Sequence, residues 1–370
     1  MLNITLKLKK LALTITATAA AAAVLVFSDS VRQGVRQGLE LCAQTVIPSL
    51  FLFTAAALFI TRSGAASVLG RIVSPVTRLL FGIGDEKASV MLMSAVAGYP
   101  VGARLVDSLY TSGKISRAEA LKMLTFCVNA GPAFIIVAVG EAVLDSRSDG
   151  WRLLAAHLSA TAVLAAVVRF LPDRLFAKAP FKTKSAVQTM RNDALLSDIF
   201  VSSVSDAGST MLSVCFFVVF FAGAGGGLSA VKTTFTDTLG QLLEVTSGIQ
   251  VCTRNTLPLA AFLLGFGGLS VMFQVLSAAK NCIMPFWLLS VSRLLHGTLS
   301  AAFIALAEVI FPRTLETGTF GVAAEKAAVS ASPAAAAALM LLCAVMLVFT
   351  QNVRVKQNRE LDFSRMIFDD

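Results

Sequence analysis

Charged residues are scarce in this chain, and their scarcity excludes an ordinary soluble domain. Asp, Glu, Lys and Arg make up 14% of the 370 residues, whereas soluble domains carry about 25%. Hydrophobic residues make up 56%, and the mean hydropathy is +0.77. Long apolar runs with short polar connections predict an all-α polytopic membrane protein that crosses the membrane several times.

Histidine and paired cysteine are also scarce, which leaves little room for metal or redox chemistry. The chain has two histidines, and its six cysteines are scattered through apolar segments without a Cys-x-x-Cys pair. It lacks the phosphate-binding Gly-x-x-x-x-Gly-Lys motif and the zinc-binding His-Glu-x-x-His motif. We therefore predict no enzyme activity, no cofactor and no metal site, although Na⁺ or H⁺ stays open as a coupling ion.

The net charge of +9 does not indicate nucleic-acid binding, because of where the basic residues lie. They cluster near the N-terminus, in residues 169–191 and in the C-terminal tail. Positive charge is typical of cytoplasmic loops and of surfaces beside anionic lipid headgroups. We place the N-terminus and the central linker inside the cell. The C-terminus then falls outside, against the basic residues of the tail, so its side stays open.

The order of apolar and polar segments divides the chain into five parts. The basic and then apolar start is similar to a signal peptide, but an apolar run of ~18 residues is long enough to span a membrane. We favour an uncleaved first helix and leave cleavage open. The parts are an N-terminal transmembrane helix (1–30), a first repeat (31–172), a basic cytoplasmic linker (173–205), a second repeat (206–351) and a polar tail (352–370).

Two apolar segments are interrupted by glycine and proline. Residues 87–113 break at Gly98 and Pro100, and residues 257–279 break at the glycines of positions 265–268. A break frees backbone groups that lipid cannot satisfy, so it survives only inside protein or beside a wet cavity. In transporters, a matched pair of such breaks points to the substrate site. Each segment has about 25 residues, too few for two crossings, so we predict two re-entrant hairpins.

The two breaks can be aligned as an internal repeat. Residues 98–144 pair with residues 265–311 at a constant offset of 167, which also places Asn129 against His296. An amphipathic segment precedes each break, and this composition is typical of a helix lying in the membrane interface. If both hairpins return to the side from which they came, the halves run in opposite directions. The sequence therefore predicts an inverted structural repeat.

Four motifs carry a resemblance to a known family. They are AGYPVGARL, CVNAGPAFIIVAVG, LLEVTSG and GFGGLSVMFQVLS with the following SRLLHG. At these motifs, and over roughly residues 30–350, the chain resembles the YlbJ type of sporulation integral membrane protein, built from nucleoside-recognition (Gate) domains. Similar domains occur in the ferrous iron transporter, whose GTPase this chain lacks, and in concentrative nucleoside transporters. The resemblance implies two Gate-like repeats whose hairpins meet at a central site, in a multi-pass protein of the bacterial cell membrane.

The candidate site consists of the hairpin tips and the polar groups expected to face them. Backbone groups at the tips, an amide, an imidazole and a carboxylate suit a polar solute or a proton relay. The resemblance assigns Glu244 and Thr246 to a Gate-type Glu-x-Thr-x-Gly pattern, but the first tip has no acid or amide, unlike the nucleoside transporters. The predicted substrate-binding residues are Gly98, Tyr99, Pro100, Gly102, Asn129, Gly131, Glu244, Thr246, Gly265, Gly267, Gly268, Ser270, Gln274 and His296.

Two functional hypotheses follow. The first is a transporter-like protein that moves or binds a small polar solute, with nucleosides as one candidate, and that acts in bacterial spore formation. The second is a non-transporting membrane scaffold or assembly factor in sporulation. The expected partners are the lipid bilayer, the solute, and a second copy of the chain or sporulation membrane proteins. We expect no nucleic acid.

Overall fold

The computed structural model describes residues 2–176 and 196–311, and within these ranges every regular element is helical. Three predicted segments lie wholly or mostly outside the described residues: the last apolar span of the second repeat (333–350), the polar tail (352–370) and the basic linker. The five domain boundaries stay predictions. The α-helices are α1 (Leu2–Val26), α2 (Ser28–Leu41), α3 (Ile47–Arg62), α4 (Ala65–Phe81), α5 (Asp85–Ala97), α6 (Tyr99–Thr111), α7 (Arg117–Phe126), α8 (Arg147–Phe170), α9 (Leu196–Ser229), α10 (Thr234–Leu243), α11 (Val245–Ile249), α12 (Leu257–Phe266), α13 (Gly268–Ala278) and α14 (Phe286–Ile310).

The length and apolar composition of these helices confirm an all-α polytopic membrane protein. Five helical stretches in the described ranges are long and apolar enough to cross a membrane, and a sixth would count if α4 and α5, bent by 95°, formed one span. Of the predicted first span, the described apolar helix covers Thr14–Val26. The five are Ser28–Arg62, Arg147–Phe170, Leu196–Ser229, Arg254–Ala278 and Phe286–Ile310.

A wide helical turn carries the chain past the proline in the first of these spans. Residues Cys42–Val46 form a π-helical turn between α2 and α3, and Pro48 occupies the first turn of α3. Proline lacks the N–H that an inner helical position would donate, so it is tolerated at this position. The span therefore continues from Ser28 to Arg62 instead of ending at the proline.

Helix α4 has its faces reversed relative to a soluble protein. Its small and polar residues, such as Gly70 and Ser74, are buried against the bundle, whereas Ile72 and Leu79 are exposed. An outward apolar face beside an inward small-residue face is expected where lipid is the solvent. This arrangement confirms that residues 66–82 hold an amphipathic helix, and its position in the membrane interface stays a prediction. The second predicted amphipathic helix is α10, which ends at Leu243, earlier than expected.

The first break forms a hairpin, as predicted. Gly98 adopts φ 91°, a conformation that disfavours other residues, and separates α5 from α6. The two helices then fold back on each other. Their close approach is evident at Gly102, where an added side-chain carbon would lie 2.5 Å from Cβ of Ser94. That same carbon would lie 2.1 Å from the carbonyl oxygen of Cys127, so the hairpin also touches the segment after α7.

The second break does not form a hairpin, which corrects the prediction. Gly267, with φ 79°, separates α12 from α13, but both helices belong to one 25-residue stretch that can cross the membrane. Helix α12 packs instead along α14, where a side-chain carbon at Gly265 would lie 2.7 Å from Cα of Gly297. This close contact with α14 holds the first part of the stretch.

The internal similarity follows a different alignment from the predicted one. An offset of 167 pairs Asn129, in the unwound segment after α7, with His296, in the middle of the continuous helix α14. The elements instead match at an offset of 141, where RLLAAHLSA at residues 152–160 aligns with RLLHGTLSA at residues 293–301. Helices α8 and α14 then correspond, and they pack against each other.

Glycines let each long helix approach the broken helix that precedes it, although these glycines are not at positions that an offset of 141 pairs with one another. Helix α8 packs on the π-helix Phe134–Glu141 through Gly150 and Gly140, as α14 packs on α12 through Gly297 and Gly265. Each long helix is therefore paired with the broken helix before it. The broken helix of the first half is α7 with the π-helix, and that of the second half is α12 with α13.

The close contact at Gly102 gives a direct test of the hairpin. Gly102→Ala should lower the melting temperature of the detergent-purified protein, because overpacking against a backbone carbonyl costs about 1–3 kcal/mol. Gly208→Ala is the matched control, since nothing lies within 4 Å of a side-chain carbon there. Equal melting temperatures for the two variants would contradict the described packing.

Candidate functional site

A small cavity lies where the first hairpin meets the segment after α10. Residues of α9 and of the α2–α3 span close its remaining sides. The cavity offers about 30 Å³ to the centre of a water molecule, which is room for roughly two waters. Half of the predicted site residues line it: Gly98, Tyr99, Pro100, Gly131, Glu244, Thr246 and Gln274.

Glu244 is the one ionisable carboxylate in the lining of this cavity. Helix α10 ends at Leu243, and Glu244 adopts extended backbone before α11 begins. Its Oε2 accepts hydrogen bonds from the backbone N–H of Ser247 at 2.8 Å and from the hydroxyl of Thr246. Its Oε1 is buried without a hydrogen-bond partner, and the residue is 1% exposed. One carboxylate oxygen is thus fixed and the other is free to bind.

Burial controls the charge of this carboxylate. Glu244 lies outside the five candidate spans, and burial raises the pKa of its carboxyl, while the hydrogen bonds from Thr246 and Ser247 offset part of that rise. A buried carboxylate with one unpaired oxygen is costly to keep for stability alone. This arrangement is typical of a group that binds a proton, a cation or a hydroxylated solute.

Gln274 supplies the second polar side chain of the lining. Its Nε2 donates to the hydroxyl of Ser270 at 3.1 Å, which fixes the amide against α13. Ser270 is buried one turn away on the same helix and does not line the cavity itself. Ser270 therefore orients Gln274 and is not placed to contact a solute.

Four of the predicted glycines shape the backbone around the cavity without lining it. Gly102 and Gly265 allow helices to approach closely, and Gly267 and Gly268 both adopt positive φ at the second break. A side-chain carbon at Gly268 would lie 3.0 Å from the carbonyl oxygens of Leu242 and Leu243. The structure gives these glycines a packing role.

Asn129 and His296 lie in a separate buried cluster, away from the cavity lining. The amide of Asn129 donates to the hydroxyl of Ser94 at 3.2 Å and accepts from the hydroxyl of Thr161 at 2.6 Å. The same Thr161 hydroxyl lies 3.3 Å from Nε2 of His296. The expectation of a single site is therefore corrected, because the predicted residues divide between the cavity and this second cluster.

Two members of the second cluster had no role in the sequence-based prediction. Arg293 is fully buried and donates to the carbonyl oxygens of Thr125 and Val128, at the end of α7 and in the unwound segment after it. His157 accepts at Nε2 from the backbone N–H of Ala130, 3.1 Å away, and its ring centroid lies 4.3 Å from that of His296. Alignment of the two RLL motifs would have drawn attention to both helices.

Tyr99 has the converse role at the second break. Its hydroxyl donates to the carbonyl oxygen of Leu264, 2.5 Å away in the last turn of α12. This bond fixes the phenol between the two halves. Tyr99 of the first half thus donates a hydrogen bond to the broken helix of the second half. Arg293 of the second half donates to the broken helix of the first half.

No metal site accompanies these groups in residues 2–176 and 196–311, where no cluster of three or more His, Cys, Asp or Glu residues has metal-binding geometry. The cavity can bind through one carboxylate oxygen, one amide and the backbone at Gly98 and Gly131.

The raised pKa of Glu244 predicts a pH-dependent effect of substitution. Because its pKa is higher in the folded than in the unfolded chain, its contribution to stability is present at low pH and is lost as pH rises through the folded pKa. Glu244→Gln keeps an acceptor for Thr246 and Ser247 but cannot ionise. The difference in melting temperature, variant minus native chain, should be larger at pH 8 than at pH 5. An equal difference at both pH values would contradict a buried carboxyl with a raised pKa.

Comparison with known proteins gives one informative relative. The chain is 26% identical over 309 residues to the sporulation integral membrane protein YlbJ of Bacillus subtilis (strain 168). The alignment covers 73% of this chain and 76% of that protein. No protein-family profile and no solved structure matches the chain. The Gate-domain relationship stays a prediction. The match confirms the resemblance to the YlbJ type, and with the described spans it identifies the chain as a multi-pass integral membrane protein similar to YlbJ.

Proposed function

We propose that this protein binds a small polar solute at the cavity beside Glu244 and moves it across the membrane. The observation that carries the proposal is the unpartnered Oε1 of Glu244. This residue is 1% exposed and lines the cavity between the first hairpin and the junction of α10 with α11. A charged group inside a membrane protein is expensive and commonly marks a substrate or ion pathway. Gln274 adds a second polar contact from the same half of the chain as Glu244.

The described conformation is closed around this site. Ligand pockets commonly measure about 300–1,000 Å³, whereas this cavity offers about 30 Å³ to the centre of a water molecule. A nucleoside-like solute therefore needs the first hairpin to separate from the segment after α10. Such a movement between two similar halves is the alternating access expected of repeat-built transporters. Gate-type ancestry of the two halves is part of this proposal.

A role in bacterial spore formation is the second part of the proposal. It derives from the similarity to YlbJ, whose name describes a sporulation integral membrane protein. A non-transporting scaffold for sporulation proteins, or for a second copy of this chain, is the competing function. The small size of the cavity favours it, because a scaffold has no need of an open site.

A ligand panel tests solute binding directly. The detergent-purified protein is heated with nucleosides, other small polar metabolites or Na⁺. A ligand that binds the folded state at a hundredfold excess over its Kd should stabilise it by about 2.7 kcal/mol. The shift should disappear in Glu244→Gln and persist in Glu86→Gln, which removes an exposed carboxylate paired with Lys114. If no compound shifts the native chain, or if Glu244→Gln keeps the shift, the proposed site is wrong.

Complementation separates the transporter from the scaffold. The native chain and Glu244→Gln are expressed in a spore-forming strain that lacks YlbJ, and membrane levels are matched by immunoblot. A transporter predicts that only the native chain restores spores. A scaffold predicts that both restore them, because the substitution leaves the protein surface unchanged.

A further inference from the structure

We propose that the pair His157 and His296 is a proton-binding latch that holds the two halves together while both rings are neutral. The pair lies between α8 and α14, the helices that correspond in the two halves. The proposal concerns the closed contact itself and is independent of any solute.

The hydrogen bonds define both rings as neutral. Nη1 of Arg293 lies 3.1 Å from Nδ1 of His296, and because a guanidinium can only donate, that nitrogen must accept. Nε2 of His296 then carries the proton and donates to the carbonyl oxygen of His157, 3.1 Å away. On His157, Nε2 accepts from the backbone N–H of Ala130, so its proton is on Nδ1.

A second proton therefore has no vacant position on either ring. On His296 it would displace the hydrogen bond from Arg293, and on His157 it would displace the one from Ala130. The bond to Ala130 supports the unwound segment of the first half, and Arg293 also holds the carbonyl oxygens of Thr125 and Val128 there. Protonation thus removes bonds that stabilise the unwound segment after α7.

The surrounding charges act in the same direction. Among the described residues, Arg293 on α14 is the charged group that acts on both rings, and it interacts in turn with Tyr99 on α6 and Cys127 after α7. An added proton would place a second positive charge beside the Arg293 guanidinium, at hydrogen-bond distance in a buried site. Repulsion between like charges is strong where water is excluded. Proton uptake and the closed contact between the halves are therefore mutually exclusive.

The linkage gives a quantitative expectation. If only an opened state binds a proton, and an imidazole in water titrates near pH ~6.5, the opened fraction rises about tenfold per histidine between pH 7.5 and pH 5.5. Cys127 reports this opening, because it is fully buried beside the carbonyls that Arg293 holds. Cys42 is equally buried between α3 and α9 and serves as the internal reference.

The experiment labels the full-length, detergent-purified chain with a maleimide at both pH values and measures the Cys127-to-Cys42 labelling ratio by peptide mass spectrometry. The protein carries no histidine tag, so that its two native histidines are the only imidazoles. We expect the ratio to rise about tenfold or more at pH 5.5. In the double variant His157→Gln and His296→Asn the rise should vanish, because each replacement keeps an acceptor at the native nitrogen position but cannot take up a proton in this range.

Two results would overturn the latch. One is a constant ratio in the native chain, which needs no variant to fold, and the other is an equal rise in the native and double-variant proteins. If the double variant is poorly folded, His157→Gln alone should halve the rise on a logarithmic scale, and no reduction would count against the latch. Glu244→Gln should keep the rise while losing any solute effect, so a failure of the latch and a failure of the proposed solute site are distinguishable.

Discussion

Backbone groups at a helix break inside a membrane must find hydrogen-bond partners within the protein, and this requirement organises the whole bundle. Here each broken helix has at least one of these partners in the opposite half of the chain, and the first broken helix also has one in its own half. Arg293 holds the carbonyls left free after α7, His157 accepts the N–H of Ala130, and Tyr99 holds the carbonyl of Leu264 in α12. Neither broken helix is satisfied by its own half alone. The breaks therefore fix how the halves pack.

This arrangement gives the cavity and the buried cluster different duties. The cavity presents an unpartnered carboxylate oxygen of Glu244 beside the first hairpin, as a binding group would be presented. The cluster around His157 and His296 contains bonds that join the halves. In the proposed function a solute enters when the halves separate, and the proposed latch lies at the contact between them. Binding and closure are thus adjacent but chemically distinct.

The sequence located the breaks well and their partners poorly. Glycine and proline interrupt helices through local backbone effects, so the breaks at Gly98 and Gly267 could be recognised from the neighbouring sequence alone. Apolar residues match one another at many offsets, so the repeat was aligned 26 positions away from the offset that α8 and α14 support. The role of His157 was missed because it depends on a contact with a helix 139 residues away along the chain. The prediction of a second hairpin was wrong for a similar reason. Helix α12 packs on α14 and does not fold back on α13.

Hydrogen–deuterium exchange at the breaks of the two broken helices, the unwound segment after α7 and the break between α12 and α13, tests most directly whether each half satisfies the other. Arg293→Gln should speed exchange in residues 125–131, which lose their guanidinium donor, while residues 262–268 stay protected. Tyr99→Phe removes only the hydroxyl that donates to Leu264 and should have the opposite pattern. This reciprocal result would establish that the bonds between the halves hold the breaks. Unchanged exchange in both variants, or equal acceleration at both breaks, would contradict the account.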